Sequence, residues 1–215
     1  MKQGFVKVAS ATPRIRVADP VYNAQVICEQ AKEAAEHGAK IVVFPELCIT
    51  GYTCNDLFLQ ELLLEKAKEA LLTIAEETGQ LETLFLVGLP VDKDGRLYNV
   101  AAVLYRGRIL GMIPKKNIPM YAEFYEGRHF TPGEETVTEY RLGKQVIPFG
   151  SNLLFRCEEL PELILGCELC EDLWVAEPPS TSHALMGATV IANLSASNET
   201  VSKDDYRTLL IKASS

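Results

Sequence analysis

The stretch KIVVFPE, Lys40 to Glu46, decides the fold. Ile41, Val42, Val43 and Phe44 follow one another with no polar residue between them. A short run of that kind is the mark of a strand buried on both faces, and hence of a sheet with layers on either side. A helix precedes it. Asp19-Pro20 supplies an N-cap and a first-turn proline. Val21, Ala24, Ile27, Cys28, Ala31, Ala34 and Ala35 then recur at helical spacing up to Gly38. The same order repeats: residues 56 to 79 read as a long helix opened by Asn55 or Asp56 and closed by Gly79, and TLFLVGLP (Thr83–Pro90) is the next buried strand.

Around these two units the chain adds strands. Phe5 to Ala9 reads as a first strand. LYNVAAVLYRGRILGMIPK (Leu97–Lys115) reads as a hairpin about the turn RGR. Residues 117 to 145 are polar, aromatic and turn-rich, which predicts an ordered loop region. Strand candidates lie around 152–156, 162–168 and 188–194, and SKDDYRTLLIKASS begins a helix. Alternating strands and helices with a hairpin predict an α/β domain with mixed sheets. The sequence stops within that last helix, so a piece of a longer protein is expected.

Composition removes several classes of function. The 215 residues are 47% hydrophobic and carry a formal net charge of −8. That balance argues against a nucleic-acid binder, which needs a basic face to displace counterions. No stretch approaches the roughly 20 apolar residues of a membrane span. The N-terminal apolar run is short and broken by Lys7, which fits a strand and not a signal peptide. A cytoplasmic protein is therefore expected, with Cys28, Cys48, Cys54, Cys157, Cys167 and Cys170 mostly free thiols.

Three segments place a reactive side chain just after a buried strand, where α/β folds build their sites. IVVFPELCITGYTCNDLF carries Glu46, GMIPKKNIPMYAEFYEGRHF carries Lys115 and Lys116, and LILGCELCEDLW carries Cys170. A thiol attacks as the thiolate, which a nearby base or positive charge favours. Glu46 could take the proton, a lysine could favour the thiolate and then the oxyanion, and the N–H after the cysteine could add a second oxyanion donor. Each piece alone has a plainer reading: a capping glutamate, a surface lysine, a packing cysteine. Their occurrence together and in this order is what points to chemistry.

The three segments resemble the Glu-Lys-Cys signatures of the nitrilase superfamily, whose members hydrolyse or transfer carbon–nitrogen bonds. FPELCITGYTCNDLF, IPKKNIPMYAEFYEGRHF and CEDLW are most similar to the glutaminase branch found in glutamine-dependent NAD synthetases, from Val6 to about Ala213. The resemblance implies a four-layer α-β-β-α sandwich, incomplete at its C-terminal side in a chain ending here, and a cysteine glutaminase. It implies Glu46 as general base, Lys115 rather than Lys116 as the lysine of P-K-x-x-(I/L)-P, Cys170 as nucleophile and the Glu171 N–H as oxyanion donor. A supporting glutamate falls on Glu126 of YEGRHFTPG, with Glu123 as the other candidate. Tyr52, Tyr121 and Phe124 fall where the family lines the glutamine pocket, and Ser197 of ANLSASNE where it holds the substrate head group. Implied too are L-glutamine as substrate, no cofactor in residues 1–215, and a C-terminal synthetase domain as partner that uses ATP and magnesium. That domain carries a Ser-Gly-Gly loop, which this sequence lacks. A homo-oligomer is expected.

Two other readings stay open: a stand-alone amidase or nitrilase, and an inactive interaction fragment. The spacing of Cys167 and Cys170, C-x-x-C, also allows a redox pair or half a zinc site. A zinc site would want a second ligand pair, but Cys48 and Cys54 are six apart and His37, His129 and His183 are scattered. Cys167 is expected to pack within the sheet, facing away from Cys170, and Leu173 and Trp174 are expected to be packing residues. No G-x-G-x-x-G or P-loop appears, so the sequence gives no sign of a nucleotide site.

Overall fold

The computed structural model describes residues 5–214. Ser215, the last residue of the segment expected to begin a helix, lies outside them. The elements run β1 (Val8–Ser10), α1 (Pro20–Glu36), β2 (Ile41–Val43), α2 (Glu61–Glu77), β3 (Leu84–Lys93), β4 (Arg96–Tyr105), β5 (Arg108–Pro114), β6 (Thr138–Leu142), β7 (Gln145–Phe149), β8 (Phe155–Arg156), β9 (Ile164–Leu169), α3 (Pro179–Leu185), β10 (Val190–Leu194) and α4 (Lys203–Ser214).

Two sheets result. The first has the order β1-β2-β3-β4-β5-β7-β6 and the second β10-β9-β8. β1, β2 and β3 are parallel, β3, β4 and β5 form an antiparallel meander, and β7 lies parallel to β5. The meander is closed by Asp94-Gly95 and Arg106-Gly107, all four at positive φ, the backbone that tight hairpin turns require. The two-residue period of a strand then sorts the core. Phe85, Val87, Leu89 and Val91 of β3, with Val100, Ala102 and Leu104 of β4, pack against α1 and α2. Leu86, Ala101 and Val103 face the other way and meet Leu165, Cys167, Leu169, Ala192 and Leu194 of the second sheet. On the far side of β9, Glu168 accepts the Ser180 N–H of α3 (3.0 Å). The layers are thus α1 and α2, the seven-stranded sheet, the three-stranded sheet, and α3.

The expected helix over 56–79 is shorter. Tyr52–Leu59 is a 3₁₀ segment broken at Asn55 (φ 49°, ψ −132°), and α2 begins only at Glu61. Phe58 is drawn instead into a small cluster with Cys54, Leu63, Leu64, Leu97 and Phe130, a direction a continuous helix would not give it. Asp56 does not cap: it holds Arg128 and His129 (2.8 and 3.0 Å). The expected loop over 117–145 contains β6, paired with β7. Its buried residues alternate, Tyr140 and Leu142 against Ile147 and Phe149, among exposed polar neighbours. The first strand is Val8–Ser10, not Phe5 to Ala9, and α3 had no counterpart in the sequence reading. Among the described residues no helix is long and apolar enough to cross a membrane.

Candidate active site

Four chain segments converge at the ends of β2, β5 and β9. After β2, Phe44-Pro45-Glu46 crosses directly over β3 at Gly88. A Cβ there would stand 2.3 Å from the Leu47 nitrogen and 2.6 Å from the Pro45 oxygen, so only glycine lets Glu46 sit on the sheet. After β5, Lys115 is fixed at both ends of its own residue. Its N–H donates to the Asn99 carbonyl (2.8 Å) and its carbonyl accepts from the Gly133 N–H (2.7 Å). Glu126 opens a 3₁₀ turn, Glu126–Arg128. Cys170 opens another, Cys170–Trp174, just past β9, with φ at 41°. A non-glycine residue in that region is strained unless its surroundings hold it.

Lys115 is fully buried and lies between two carboxylates. Its Nζ donates to Glu46 Oε1 (2.7 Å) and to Glu126 Oε1 (2.6 Å). Asn99 Nδ2 donates to Glu46 Oε1 (2.7 Å) and to Glu126 Oε2 (3.2 Å). The Tyr52 hydroxyl donates to Glu126 Oε1 (2.8 Å), and the Ala196 N–H donates to Glu46 Oε2 (3.0 Å). Cys170, only 5% exposed, stands beside this cluster. A cavity of about 90 Å³, lined by Tyr52, Phe58, Glu126, His129 and Phe130 among others, adjoins it. The larger cavity, about 360 Å³ between β1 and α1, holds none of these groups.

Charge in this dry place decides protonation. Burial pulls the Lys115 ammonium down, but Glu46 and Glu126 outweigh it and hold it above the ordinary lysine range. Burial, then the charge of Glu46, pushes Glu126 up against the pull of Lys115. The same two causes push the Cys170 thiol up to about 12; Lys115, the Ala196 N–H and the Ser195 hydroxyl only partly offset them. Lys115 thus favours the thiolate, as expected, but does not outweigh burial and Glu46. At neutral pH Cys170 therefore rests as the thiol. Moving its proton to Glu46 leaves the summed charge of Cys170, Glu46, Lys115 and Glu126 unchanged at −1, so the thiolate can form without adding buried charge.

The structure brings Glu46, Lys115, Glu126 and Cys170 together. Lys116 points outward to Glu135, and Glu123 is exposed and pairs with Asn198. Phe124 stands between the rings of Tyr52 and Tyr121 (6.5 and 5.6 Å), and Tyr121 donates to the Glu171 carboxylate (2.8 Å). Ser197 Oγ accepts from Lys203 Nζ (2.7 Å), which also faces the rings of Phe124 and Trp174. Trp174 is more than packing: its half-buried ring meets Tyr206 and carries both Lys203 and Arg207. Cys167 lies in the core between the sheets, and all six cysteines are free thiols. Sequence reasoning missed Asn99, Lys203 and Asp172. The buried Asp172 accepts the Leu169 N–H (3.0 Å) and both the N–H and the Nδ2 of Asn117 (2.8 and 2.9 Å), tying the cysteine turn to the segment after Lys115. The available signal was Asp172, a capping-type residue two positions after the cysteine that follows a strand.

A family model for carbon–nitrogen hydrolases matches residues 7–214. The chain belongs to the carbon–nitrogen hydrolase family. Within it, the chain is 41% identical over 214 residues to the glutamine-dependent NAD(+) synthetase of Mycobacterium tuberculosis, covering 100% of this chain and 32% of that protein. The synthetase of the same name from Thermotoga maritima is 34% identical over 208 residues, covering 96% and 32%. This carbon–nitrogen hydrolase chain thus spans about a third of the length of the curated relatives it matches. A crystal structure of a glutamine-dependent NAD(+) synthetase from Cytophaga hutchinsonii superposes with a TM-score of 0.86 at 28% identity, over 97% of this chain and 33% of that one. An amidase from Nesterenkonia sp. shares the fold at a TM-score of 0.72 and 21% identity, over 97% and 71%.

Proposed function

We propose that residues 1–215 are the N-terminal glutaminase portion of a glutamine-dependent NAD synthetase. The observation that carries the reading is the buried Lys115 shared by Glu46 and Glu126 beside Cys170, in a chain so similar over its whole length to enzymes of that name. Cys170 Sγ attacks the side-chain amide carbon of L-glutamine as its proton passes to Glu46. Two of the three Lys115 ammonium hydrogens serve the carboxylates, and the third, with the Glu171 N–H, holds the oxyanion. Glu46 returns the proton to the leaving ammonia, then takes one from the water that hydrolyses the γ-glutamyl thioester. The Lys203 ammonium, bonded to Ser197, and the Glu171 carboxylate, bonded to Tyr121, offer opposite charges to the two ends of an amino acid. The neutral end of an aliphatic amide would leave both unused.

The ammonia then passes to a C-terminal synthetase domain, which amidates adenylated nicotinic acid adenine dinucleotide to NAD. An enclosed route keeps it unprotonated. ATP and magnesium act there, and this chain needs no cofactor of its own. A cytoplasmic homo-oligomer completes the proposal. The test is Cys170→Ala in the full protein. NAD formation from glutamine should vanish while formation from ammonium chloride persists. An Ala variant that still consumes glutamine, or a wild type that prefers aliphatic amides or nitriles, overturns the reading.

A further inference from the structure

Asn99 sits mid-strand in β4, fully buried, and spends both hydrogens of its side-chain amide on the two carboxylates. Its Oδ1 is buried without a hydrogen-bond partner. That orphan acceptor fixes which way the amide faces: turned over, Oδ1 would point at two carboxylates and the NH₂ would lose both partners. Its backbone carbonyl meanwhile receives the Lys115 N–H (2.8 Å). One residue therefore touches all three ionised members of the cluster.

The two oxygens of Glu46 are treated differently. Oε1 accepts from both Lys115 Nζ and Asn99 Nδ2, each at 2.7 Å. Oε2 accepts only from the Ala196 N–H, at 3.0 Å, a group that also reaches Cys170. We propose that Asn99 is a positioning residue that occupies Oε1 of Glu46 and so reserves Oε2, on the Cys170 side, for the thiol proton, while its second hydrogen holds Glu126 Oε2 in place beside it. The step balances: the S–H bond of Cys170 breaks, an O–H bond forms on Oε2, and no other proton moves. The inference rests on the reading of Cys170 and Glu46 as nucleophile and base, and adds a residue to it. The charged and titratable groups facing Glu46 and Glu126 are Lys115 after β5, Tyr52 from the 3₁₀ segment after β2, and Cys170 after β9.

The test is Asn99→Leu, close in volume with no donor, and Asn99→Asp, which replaces the NH₂ with a third carboxylate oxygen. Two profiles are measured across pH in the full chain: kcat for glutamine, and the rate of Cys170 alkylation by iodoacetamide, which needs no knowledge of the substrate. Losing a donor to an ionised carboxylate favours its protonated form, so the acid limb moves to higher pH. Asn99→Leu should move it by about one unit, Asn99→Asp by more, with kcat down about 10- to 100-fold and KM within about threefold. Activities are counted per reactive Cys170, which removes misfolded protein from the comparison. Limbs that stay in place in both variants, or a loss that falls on KM alone, overturn the assignment. If the wild type shows no glutaminase but the alkylation limb moves as stated, the role of Asn99 stands and the substrate reading fails.

Discussion

Adding one methyl group at Gly88 should disable the site without touching any reacting atom. A Cβ at that position would lie 2.3 Å from the Leu47 nitrogen, 2.6 Å from the Pro45 oxygen and 2.8 Å from the Glu46 carbon, whereas ordinary contact begins at 3.4 Å. All three atoms are backbone, so no rotamer change relieves the clash. β3 cannot retreat either, since β2 holds it on one side and the long β4 ladder on the other. The Phe44–Leu47 crossing must therefore lift by about 1 Å, and Glu46 with it. The Lys115–Glu46 bond of 2.7 Å and the Ala196–Glu46 bond of 3.0 Å both lengthen past hydrogen-bond range. A displacement of that size in a reacting group costs on the order of 100-fold in rate. Overpacking costs about 1–3 kcal/mol of stability, on the order of 5 °C in melting temperature for a chain of this length. Gly88→Ala is assayed by glutamine turnover per reactive Cys170, together with calorimetry. Turnover within about threefold of wild type in a protein that melts lower would show that the crossing yields without moving Glu46. The argument that β3 positions the base would then be wrong.

Two further perturbations probe the charges. Lys115→Met leaves Glu46 and Glu126 facing each other without their cation, which should cost about 3–5 kcal/mol at neutral pH. Glu126 is already pushed up by burial and by Glu46, and the loss of Lys115 pushes it further. A carboxyl whose folded pKa lies above its unfolded value stabilises on the acid side, so the deficit should shrink as pH falls from about 7 toward 5; a deficit in melting temperature that is flat across that window refutes the assignment. Glu46→Gln removes the group that takes the Cys170 proton, together with a charge that helps to hold the thiol up near 12. Alkylation by iodoacetamide at about pH 8 should slow as glutamine turnover falls about 10²- to 10⁴-fold; alkylation faster than wild type would mean that Glu46 acts on Cys170 through its charge and not as the base.

What could be read from sequence followed from local pattern. The runs at Ile41–Phe44 and Leu84–Leu89 announced both-face burial, and that places Glu46 at a strand end before any fold is known. The hairpin about Arg106-Gly107 did the same for Lys115. The β6–β7 pair escaped because it closes one edge of the sheet, where every second residue is exposed and polar. The helix break at Asn55 escaped because Leu57, Phe58, Leu63 and Leu64 are compatible with helical spacing; the pull on Phe58 comes from Leu97 and Phe130, which are distant in sequence. Asn99 escaped for a related reason. In LYNVAAVLY it reads as one polar position on a strand, and only β5 and the Glu126 turn, folded over it, make it the centre of a charge cluster. The raised thiol of Cys170 was not foreseen because charge spacing can be guessed from a motif while desolvation needs the packed interior.

The division of the site between the two sheets follows from the same geometry. Glu46, Asn99 and Lys115 belong to the seven-stranded sheet, whereas Cys170 and Ala196 follow β9 and β10 of the other. Glu46 and Cys170 meet only because the sheets are docked through Leu86, Ala101 and Val103 against Leu165, Cys167 and Leu169. Polar links cross at the site as well, among them the Ala196 N–H to Glu46, Asn117 to Asp172 and Tyr121 to Glu171. Buried carboxylates and an ammonium do little to stabilise a fold by themselves, so the apolar contact between the sheets has to supply the stability that keeps them desolvated. Cys167 belongs to that contact, fully buried, and Cys170 lies three residues on at a strained turn. The C-x-x-C pair is thus one thiol that holds the sheets together by packing and one that their docking brings to Glu46.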